Sequence, residues 1–334
     1  MNKHTRYDLT QMQSLPLESK IKMSKQRIRQ WYEHWDGDVY VSFSGGKDST
    51  VLLHLVRSIY PDVEAVFSDT GLEFPAVRKH VKTFDNVRWM KPEMTFRDVI
   101  FKKGYPMISK EVSQIVREAR IGVKRGDGTY AYRLKKLNGE ILTPNGKKSQ
   151  FNCEKWKFML DAPFEVSEQC CNEMKKKPFK KYEKETGKKP YVGTMATESR
   201  LRAQAWLRHG CNSFEKSRTC SAPLSFWTEQ DILEYVKLHD LSLPTVYGDV
   251  VETGEVIQRL DGEHKELTTS KCKRTGCVFC GFGAHIAGQD RYNLLRELEP
   301  KLYEYCMRDR ELGGLGFGKV IDWMNENGNL GIKK

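Results

Sequence analysis

No stretch of the chain approaches the ~20 consecutive apolar residues that a membrane-spanning helix requires. The N-terminus lacks the compact apolar core of a signal peptide, and no internal repeat or low-complexity segment is present. These absences argue against a membrane protein, an exported protein and a repeat array, so we expect a soluble cytoplasmic protein. The 334 residues can bury the core of one elaborated domain, or of one domain with a smaller appendage.

A glycine-rich turn joins a strand pattern to a helix pattern. Apolar residues alternate over 39–43 and recur at helical spacing over 51–59. The turn between them consists of Ser44, Gly45, Gly46, Lys47, Asp48 and Ser49. Two adjacent glycines let backbone N–H groups approach an anion, the new helix adds unpaired donors, and Lys47 adds a positive charge. The turn is therefore predicted to hold the phosphates of a nucleotide.

This turn is not a Walker loop, which requires G-x-x-x-x-G-K-[ST]. It resembles the PP-loop of the ATP pyrophosphatases, which cleave ATP between the α and β phosphates. A second strand pattern over 63–67 leads to Asp69 and Thr70, where a βαβ unit places an acid near the nucleotide. A third apolar run, 87–90, follows an amphipathic segment over 74–84. We predict an α/β fold with a doubly wound, mostly parallel sheet. Lys47 and Asp48 are the candidate catalytic residues, and Asp48 and Asp69 the candidates for holding Mg²⁺ or the ribose.

The pattern divides the chain into three parts. Residues 1–37 are predicted to be an N-terminal helical segment with a helix over 19–34, residues 38–245 the nucleotide-binding domain, and residues 246–334 a helical, cysteine-bearing C-terminal part. Turn signals at 126–128 and 138–139 surround a strand-like stretch and predict an inserted hairpin at about 121–151, either a surface excursion or a substrate-gripping lid. A similar excursion covers 246–266. Thr228 and Asp231 predict a capping box.

The nine cysteines are more consistent with thiols and metal ligands than with disulfides, because five of them form two tight groups. The groups are Cys170 with Cys171, and Cys272 with Cys277 and Cys280. The neighbouring Lys273 and Arg274 are expected to lower the pKa values of the second group. Two metals fit this spacing. A closed zinc site would use Cys272, Cys277, Cys280 and His285, whereas an iron–sulfur cluster would draw two thiolates from each group.

Basic residues give a formal net charge of +12 and bunch over residues 175–189. Such a run is either a solvated helix face or a surface that attracts a polyanion, namely a nucleotide or a nucleic acid such as tRNA or DNA. No nucleic-acid-binding motif accompanies it. Charge alone therefore does not establish that partner.

Several motifs together resemble the phosphoadenosine phosphosulfate (PAPS) reductase family, over roughly residues 38–283. They are Cys170-Cys171 with Lys175 and Pro178, residues 193–202, Pro223-Leu224 with Trp227 and Asp231, and residues 275–280. The resemblance implies an adenine nucleotide alpha hydrolase-like fold. It also implies a [4Fe-4S] cluster held by Cys170, Cys171, Cys277 and Cys280, with Cys272 as a spare or alternative ligand.

The same resemblance implies a substrate pocket lined by the segment around α-helical residues 198–202. Its candidate residues are Lys175 beside the cluster, Glu198, Ser199, Arg200 and Arg202. A guanidinium offers paired donors to phosphate or sulfate, which suits both arginines. Glu198 and Arg202 stand four residues apart, however, and can instead pair with each other.

Two departures from the family shape the functional prediction. Sulfonucleotide reductases carry a nucleophilic cysteine in a Glu-Cys-Gly-Leu-His tail, and residues 313–334 contain no cysteine. The complete loop, degenerate in many reductases, is intact in relatives that use ATP, such as the small subunit of ATP sulfurylase and the sulfur-transfer proteins of DNA phosphorothioation. We therefore expect ATP or a sulfated adenine nucleotide at the loop, with Mg²⁺, and adenylyl transfer with pyrophosphate release coupled to sulfur transfer from a sulfur donor.

Two alternatives stay open. The first is a PAPS or adenylyl-sulfate (APS) reductase that uses a thioredoxin-like reductant and in which Cys272 or Cys306 replaces the tail thiol. The second is a catalytically lapsed, nucleotide-sensing regulator that binds DNA through the lysine run.

Overall fold

The computed structural model describes residues 2–216, 218–288 and 290–334. Its helices are α1 (Arg6–Ser14), α2 (Leu17–His34), α3 (Lys47–Arg57), α4 (Pro75–Val81), α5 (Phe96–Lys103), α6 (Lys110–Arg125), α7 (Ala131–Asn138), α8 (Lys177–Thr186), α9 (Arg200–His209), α10 (Glu229–Leu238), α11 (Arg291–Leu298), α12 (Pro300–Met307) and α13 (Phe317–Gly328). Its strands are β1 (Val39–Ser42), β2 (Ala65–Ser68), β3 (Val87–Met90), β4 (Met107–Ile108), β5 (Lys189–Val192), β6 (Asn212–Glu215), β7 (Arg218–Ser221), β8 (Val250–Arg259), β9 (Gly262–Thr269) and β10 (Gly281–Phe282).

The chain forms two compact units. Unit 1 consists of Met1–Asp69, Glu73–Lys91 and Pro178–Thr275, and unit 2 of Thr70–Leu72, Pro92–Lys177 and Gly276–Lys334. The three-part division expected from the sequence stays a prediction. Within the part of the chain that the structure describes, none of the helices combines the length and apolar character needed to cross a membrane.

Unit 1 is built on a six-stranded sheet with the order β3-β2-β1-β5-β7-β6. All neighbouring strands are parallel except β6 and β7. The predicted α/β fold with a mostly parallel sheet is thus confirmed. From β1 the chain moves to β2 and β3 on one side and later returns to β5 on the other, so the strand order reverses between β1 and β5. Such a reversal leaves a crevice at the carboxyl ends of the two strands, where α/β proteins bind ligands.

Helix α2 matches the helix predicted over 19–34 and packs Ile28 and Trp31 into the core of unit 1. It also buries Lys20, whose Nζ lies 2.7 Å from the Asp231 carboxylate, with both side chains fully inaccessible. Asp231 completes the predicted capping box with Thr228 at the start of α10. One carboxylate therefore caps a helix and neutralises a buried lysine.

Unit 2 contains a two-stranded parallel sheet, β10 with β4, among helices. An isolated parallel bridge joins Tyr105 to Val166, just before β4 in the chain. Aromatic rings pack in the interior of unit 2. The Phe317 ring lies edge-on to the Tyr105 ring, with 5.0 Å between their centroids.

The hairpin predicted at about 121–151 is wrong. Helix α6 continues to Arg125, and Gly126 ends it with φ +67°, while the stretch predicted as a strand opens α7. Helical rather than strand spacing is favoured there because it buries Leu137 and lets Arg133 reach Glu118 at 2.6 Å. Gly139, in the left-handed region at φ +75°, is the cap of α7 and not a hairpin turn. The second excursion is a β-hairpin of β8 and β9.

Candidate nucleotide and thiol sites

The glycine loop lies at the carboxyl end of β1, beside the crevice that the strand order creates. Gly45 adopts φ +71°, and a Cβ on it would lie 2.5 Å from Val81 Cγ2 of α4. Gly46 is the N-cap residue of α3, whose first residue is Lys47. Glycine is therefore required at 45 both for its backbone conformation and for the close approach of α4.

The two serines of the loop close it internally. The hydroxyls of Ser44 and Ser49 lie 3.0 Å apart, and Ser49 also accepts from the Ser44 amide at 3.2 Å. Ser49 in turn donates to the Gly46 carbonyl at 2.9 Å. These contacts hold the loop in the shape that aims the first turn of α3 at the crevice.

Lys47 is only 3 % exposed. Its Nζ donates to the Lys273 carbonyl at 2.9 Å and lies 3.2 Å from Glu229 and 3.9 Å from Asp48. Burial lowers the pKa of Lys47, but the nearby carboxylates of Asp48 and Glu229 oppose this effect, and the pKa is raised overall. A permanent positive charge thus sits at the positive end of α3.

Asp48 sits half-buried beside Lys47. Burial raises the pKa of its carboxyl, against the opposing effect of Lys47 and of the more distant Arg274 and Arg202. Its Oδ1 is buried and makes no hydrogen bond to any described residue. A carboxylate oxygen in this state is the kind of ligand that Mg²⁺ binds, so the site fits that ion.

Asp69 and Thr70 follow β2 as predicted, and both are buried. Asp69 Oδ2 accepts from Arg78 at 2.7 Å, so the carboxylate is already paired within unit 1. Thr70 Oγ1 accepts from the Leu72 amide at 3.2 Å. Their role in holding the nucleotide stays a prediction.

The segment expected to line the substrate pocket follows β5, which pairs with β1 through Val192 and Ser42. It therefore leaves the sheet next to the glycine loop. The Glu198 carboxylate forms an ion pair with Arg202 and accepts from the Met195 amide at 2.8 Å.

Ser199 caps α9 by accepting from the Arg202 amide at 3.3 Å. Arg200 and Arg202 are exposed. The anticipated Glu198–Arg202 pairing is thus present. The positive charge of Arg202 also lowers the pKa of Asp48.

Sequence reasoning missed Tyr247 and Glu229. The Tyr247 hydroxyl accepts from the Lys47 amide at 3.3 Å and lies 3.2 Å from Thr275 Oγ1. The two residues are far from the loop in the chain and belong to no motif. They reach the loop only through tertiary packing, so the sequence gives no signal for them. The positive charge of Arg274 lowers the pKa of Asp48.

In unit 2, β4 brings two distant cysteine-bearing segments together. On one side, Tyr105 accepts from the Ser167 amide at 2.9 Å and bridges Val166, just ahead of Cys170 and Cys171. On the other side, β4 pairs with β10, whose Gly281 follows Cys280. A Cβ on Gly281 would lie 2.4 Å from Met107 Sδ, so glycine permits this approach.

The four thiols of these segments act on one another electrostatically. The Cys170 thiol, followed by the charges of Lys110 and Lys175, lowers the pKa of Cys171 to about 5, while the same contact and burial raise the pKa of Cys170. Lys110, at the start of α6, was also missed from the sequence. The contact between the two thiols therefore favours the thiolate form of Cys171 over that of Cys170.

The lowered pKa expected from Lys273 and Arg274 is wrong for Cys280. Burial and the neighbouring Cys277 raise the pKa of Cys280 to about 11, and Arg291 is the cation that opposes them. Arg291 also donates to the Cys277 carbonyl at 3.4 Å.

Over the described ranges, no three His, Cys, Asp or Glu side chains form a group that could hold a single metal ion. That includes the set expected for zinc, in which Cys272 instead donates its Sγ–H to the Arg274 carbonyl at 2.9 Å. A [4Fe-4S] cluster spreads its thiolates over different iron atoms and so needs no single-ion grouping. Four thiols in electrostatic range, with lysines beside them, fit a cluster in donor chemistry.

The lysine run occupies α8 and its flanks. Lys177, Lys180, Lys181 and Lys184 are exposed and recur at helical spacing, while Tyr182 is buried. The lysines therefore share the solvent side of this helix.

The strand order of this α/β fold reverses beside the glycine loop and the buried lysine, and α/β proteins bind ligands at such a reversal. A family model, the phosphoadenosine phosphosulfate reductase domain, matches residues 38–109 and 130–281. The chain belongs to this family, as the sequence motifs predicted.

Individual proteins agree with that assignment. An adenosine 5'-phosphosulfate reductase of Staphylococcus epidermidis is 24% identical over 282 residues, covering 82% of this chain and 91% of that protein. One from Anoxybacillus flavithermus is 24% identical over 237 residues, covering 71% and 78%. A crystal structure of the PAPS reductase of Candida auris in a phosphate complex matches 72% of this chain and 94% of that one, at 16% identity and a TM-score of 0.36.

Proposed function

We propose that the chain is a sulfonucleotide reductase that binds an adenine nucleotide by its phosphate at residues 44–49 and releases sulfite from APS or PAPS. The observation that carries this proposal is a buried, charged lysine at the first residue of α3, in a loop at the crevice between β1 and β5. Helix N-terminal amides and a lysine are the donors that a phosphate or sulfate needs. The two bacterial relatives named above are both adenosine 5'-phosphosulfate reductases, which supports a sulfated nucleotide as substrate.

Reduction requires a thiolate that attacks the sulfate sulfur. The S–O bond to the nucleotide phosphate breaks, AMP leaves from APS, and the thiol becomes an S-sulfonate. A thioredoxin-like dithiol then attacks that cysteine sulfur, releases sulfite, and is itself oxidised to a disulfide as the enzyme thiol is restored.

We assign the attacking thiol to Cys272 rather than Cys306. Cys306 lies on α12 of unit 2, whereas the glycine loop belongs to unit 1. Cys272 belongs to unit 1 and precedes Lys273, whose carbonyl contacts Lys47 in the loop.

Cys170, Cys171, Cys277 and Cys280 would hold a [4Fe-4S] cluster, which supplies an anionic redox centre when bound. The positive charges of Lys110 and Lys175 act on Cys171 of this set and would offset the negative charge of the thiolates. Asp48 Oδ1 would hold Mg²⁺, which supplies positive charge to phosphate oxygens.

A second candidate is ATP-dependent adenylyl transfer with pyrophosphate release. It is favoured by the complete Ser-Gly-Gly-Lys-Asp-Ser loop and by the unbonded Asp48 oxygen beside Lys47. In this reaction the acceptor could be a nucleic acid held by the lysines of α8, since four of them are exposed on one side.

One anaerobic assay tests both candidates. The protein is incubated with APS, PAPS or ATP, with and without thioredoxin, tRNA and DNA, while sulfite and pyrophosphate are followed together. Sulfite that depends on thioredoxin is expected, and Cys272→Ser should abolish it. Pyrophosphate from ATP without sulfite from either sulfated nucleotide would instead establish adenylyl transfer, and neither product would reject both candidates.

A further inference from the structure

The donors of the glycine loop are occupied by oxygen atoms of the protein itself. The Tyr247 hydroxyl accepts a hydrogen bond from the Lys47 amide at 3.3 Å. The Lys47 ammonium donates to the Lys273 carbonyl at 2.9 Å and forms an ion pair with the Glu229 carboxylate at 3.2 Å. A neutral oxygen on the amide and two oxygens on the ammonium reproduce the contacts that phosphate oxygens would make there.

Two of these three residues come from the base of the β8–β9 hairpin. Tyr247 ends a short 3₁₀ turn just before β8, and Lys273 follows β9. The Lys271 amide donates to the Tyr247 carbonyl at 3.0 Å, and the Cys272 amide donates to the Val246 carbonyl at 3.2 Å. The two sides of the hairpin base are therefore joined to each other and meet the loop together.

The contact is close and shielded from water. Tyr247 is 3 % exposed, and a Cβ on Gly46 would lie 3.1 Å from its hydroxyl. A phosphate oxygen and the Tyr247 hydroxyl cannot both occupy the acceptor position of the Lys47 amide.

We propose that the base of the β8–β9 hairpin, with Glu229, is a phosphate-mimicking latch that a nucleotide must displace to reach the loop. Tyr247 is then a positioning residue that sets nucleotide affinity through Lys47. This inference rests on the proposed nucleotide site, and it predicts that removing a latch oxygen tightens binding. A purely structural role for the same oxygens would weaken binding or leave it unchanged.

The test measures the affinity of the full-length protein for pyrophosphate and for Mg-ATP by calorimetry. Tyr247→Phe should lower both Kd values about two- to tenfold, the factor expected when one neutral hydrogen bond no longer competes. Glu229→Gln, at a partly exposed position that tolerates the isosteric change, should shift them in the same direction. Tyr235→Phe is the matched control, because its buried hydroxyl bonds His54 and not the loop.

The possible results distinguish failure of the latch proposal from failure of the nucleotide-site proposal. Tighter binding by Tyr247→Phe and Glu229→Gln, with Tyr235→Phe unchanged, supports the latch. Unchanged or weaker binding by both variants, while the wild type binds, overturns the latch and leaves the nucleotide site standing. Failure of the wild type and both variants to bind either probe overturns the nucleotide site and the latch with it.

Discussion

The glycine loop of unit 1 and the four clustered cysteines of unit 2 are assembled in opposite ways. The loop is one contiguous stretch at the end of a buried parallel strand, and its own serines and glycines fix its shape. The thiols come from segments more than a hundred residues apart that meet only because both bond to β4 or its immediate neighbours. A local site depends on its motif, whereas a dispersed site depends on the fold that gathers it.

The largest effect is expected from the loss of one of the four clustered thiols. Anaerobically purified protein should be brown, with a broad absorption near ~400 nm. Cys277→Ser should abolish that colour and the bound iron, because one of the four proposed ligands is lost. Cys211→Ser is the control and should stay brown, since Cys211 is buried in unit 1 and accepts from Ser225. Colourless wild-type protein with one zinc per chain would refute the cluster.

The scaffold under the loop can be tested through Asp231. Asp231→Ala leaves Lys20 buried without its carboxylate and removes the cap of α10, so unfolding free energy should fall by about 3–5 kcal/mol. Urea denaturation measures the change. Glu18→Ala is the control, because it breaks an exposed pair with Lys22 and should cost less than about 1 kcal/mol. Equal losses in the two variants would contradict the importance of this buried pair.

Lys47→Ala examines the loop itself. Loss of its charge-assisted contacts should weaken Mg-ATP binding about 10- to 100-fold. Calorimetry gives the affinity, and Lys22→Ala, an exposed lysine of α2, should bind as the wild type does. An unchanged affinity in Lys47→Ala would place the nucleotide elsewhere.

The smallest expected effect is a pH dependence from His80, which supports the loop through Thr50. Thr50 Oγ1 lies 3.3 Å from His80 Nε2 and donates to the Gly46 carbonyl at 3.1 Å. Burial lowers the pKa of His80 from 6.5 to about 4. The unfolded chain therefore binds a proton between these values that the folded chain does not.

The stability contributed by this histidine is complete well above pH 6.5 and decreases as the pH falls toward 4, by about 1.6 kcal/mol between pH 6.5 and 5. Urea unfolding at several pH values measures the slope, and His80→Gln should flatten it. Identical slopes in the two proteins would remove His80 as the cause.

Sequence patterns predicted what is local. The alternation over 39–43, the glycine loop and the run at 87–90 correspond to β1, the start of α3 and β3, because each carries its own period or turn chemistry. The capping box at Thr228 is equally local. The family resemblance, carried by short motifs, was confirmed.

The sequence predictions fail where tertiary contacts determine the secondary structure or the members of a site. Tyr130 and Tyr132 alternate as in a strand, yet burial of Leu137 and the ion pair of Arg133 with Glu118 favour helix α7. Tyr247, Glu229 and Lys110 reach their sites only through packing of distant segments, so no spacing rule could identify them. The predicted nucleotide and cluster residues are arranged compatibly with their roles, which stay predictions.

Strand β4 has just two residues, yet both cysteine-bearing segments take their register from it or from Tyr105 close by. Their mutual placement is consequently fixed by main-chain hydrogen bonds and does not depend on the proposed cluster. We therefore expect the four thiols to keep their arrangement when the proposed cluster is removed, and to take up iron and sulfide again without refolding of unit 2.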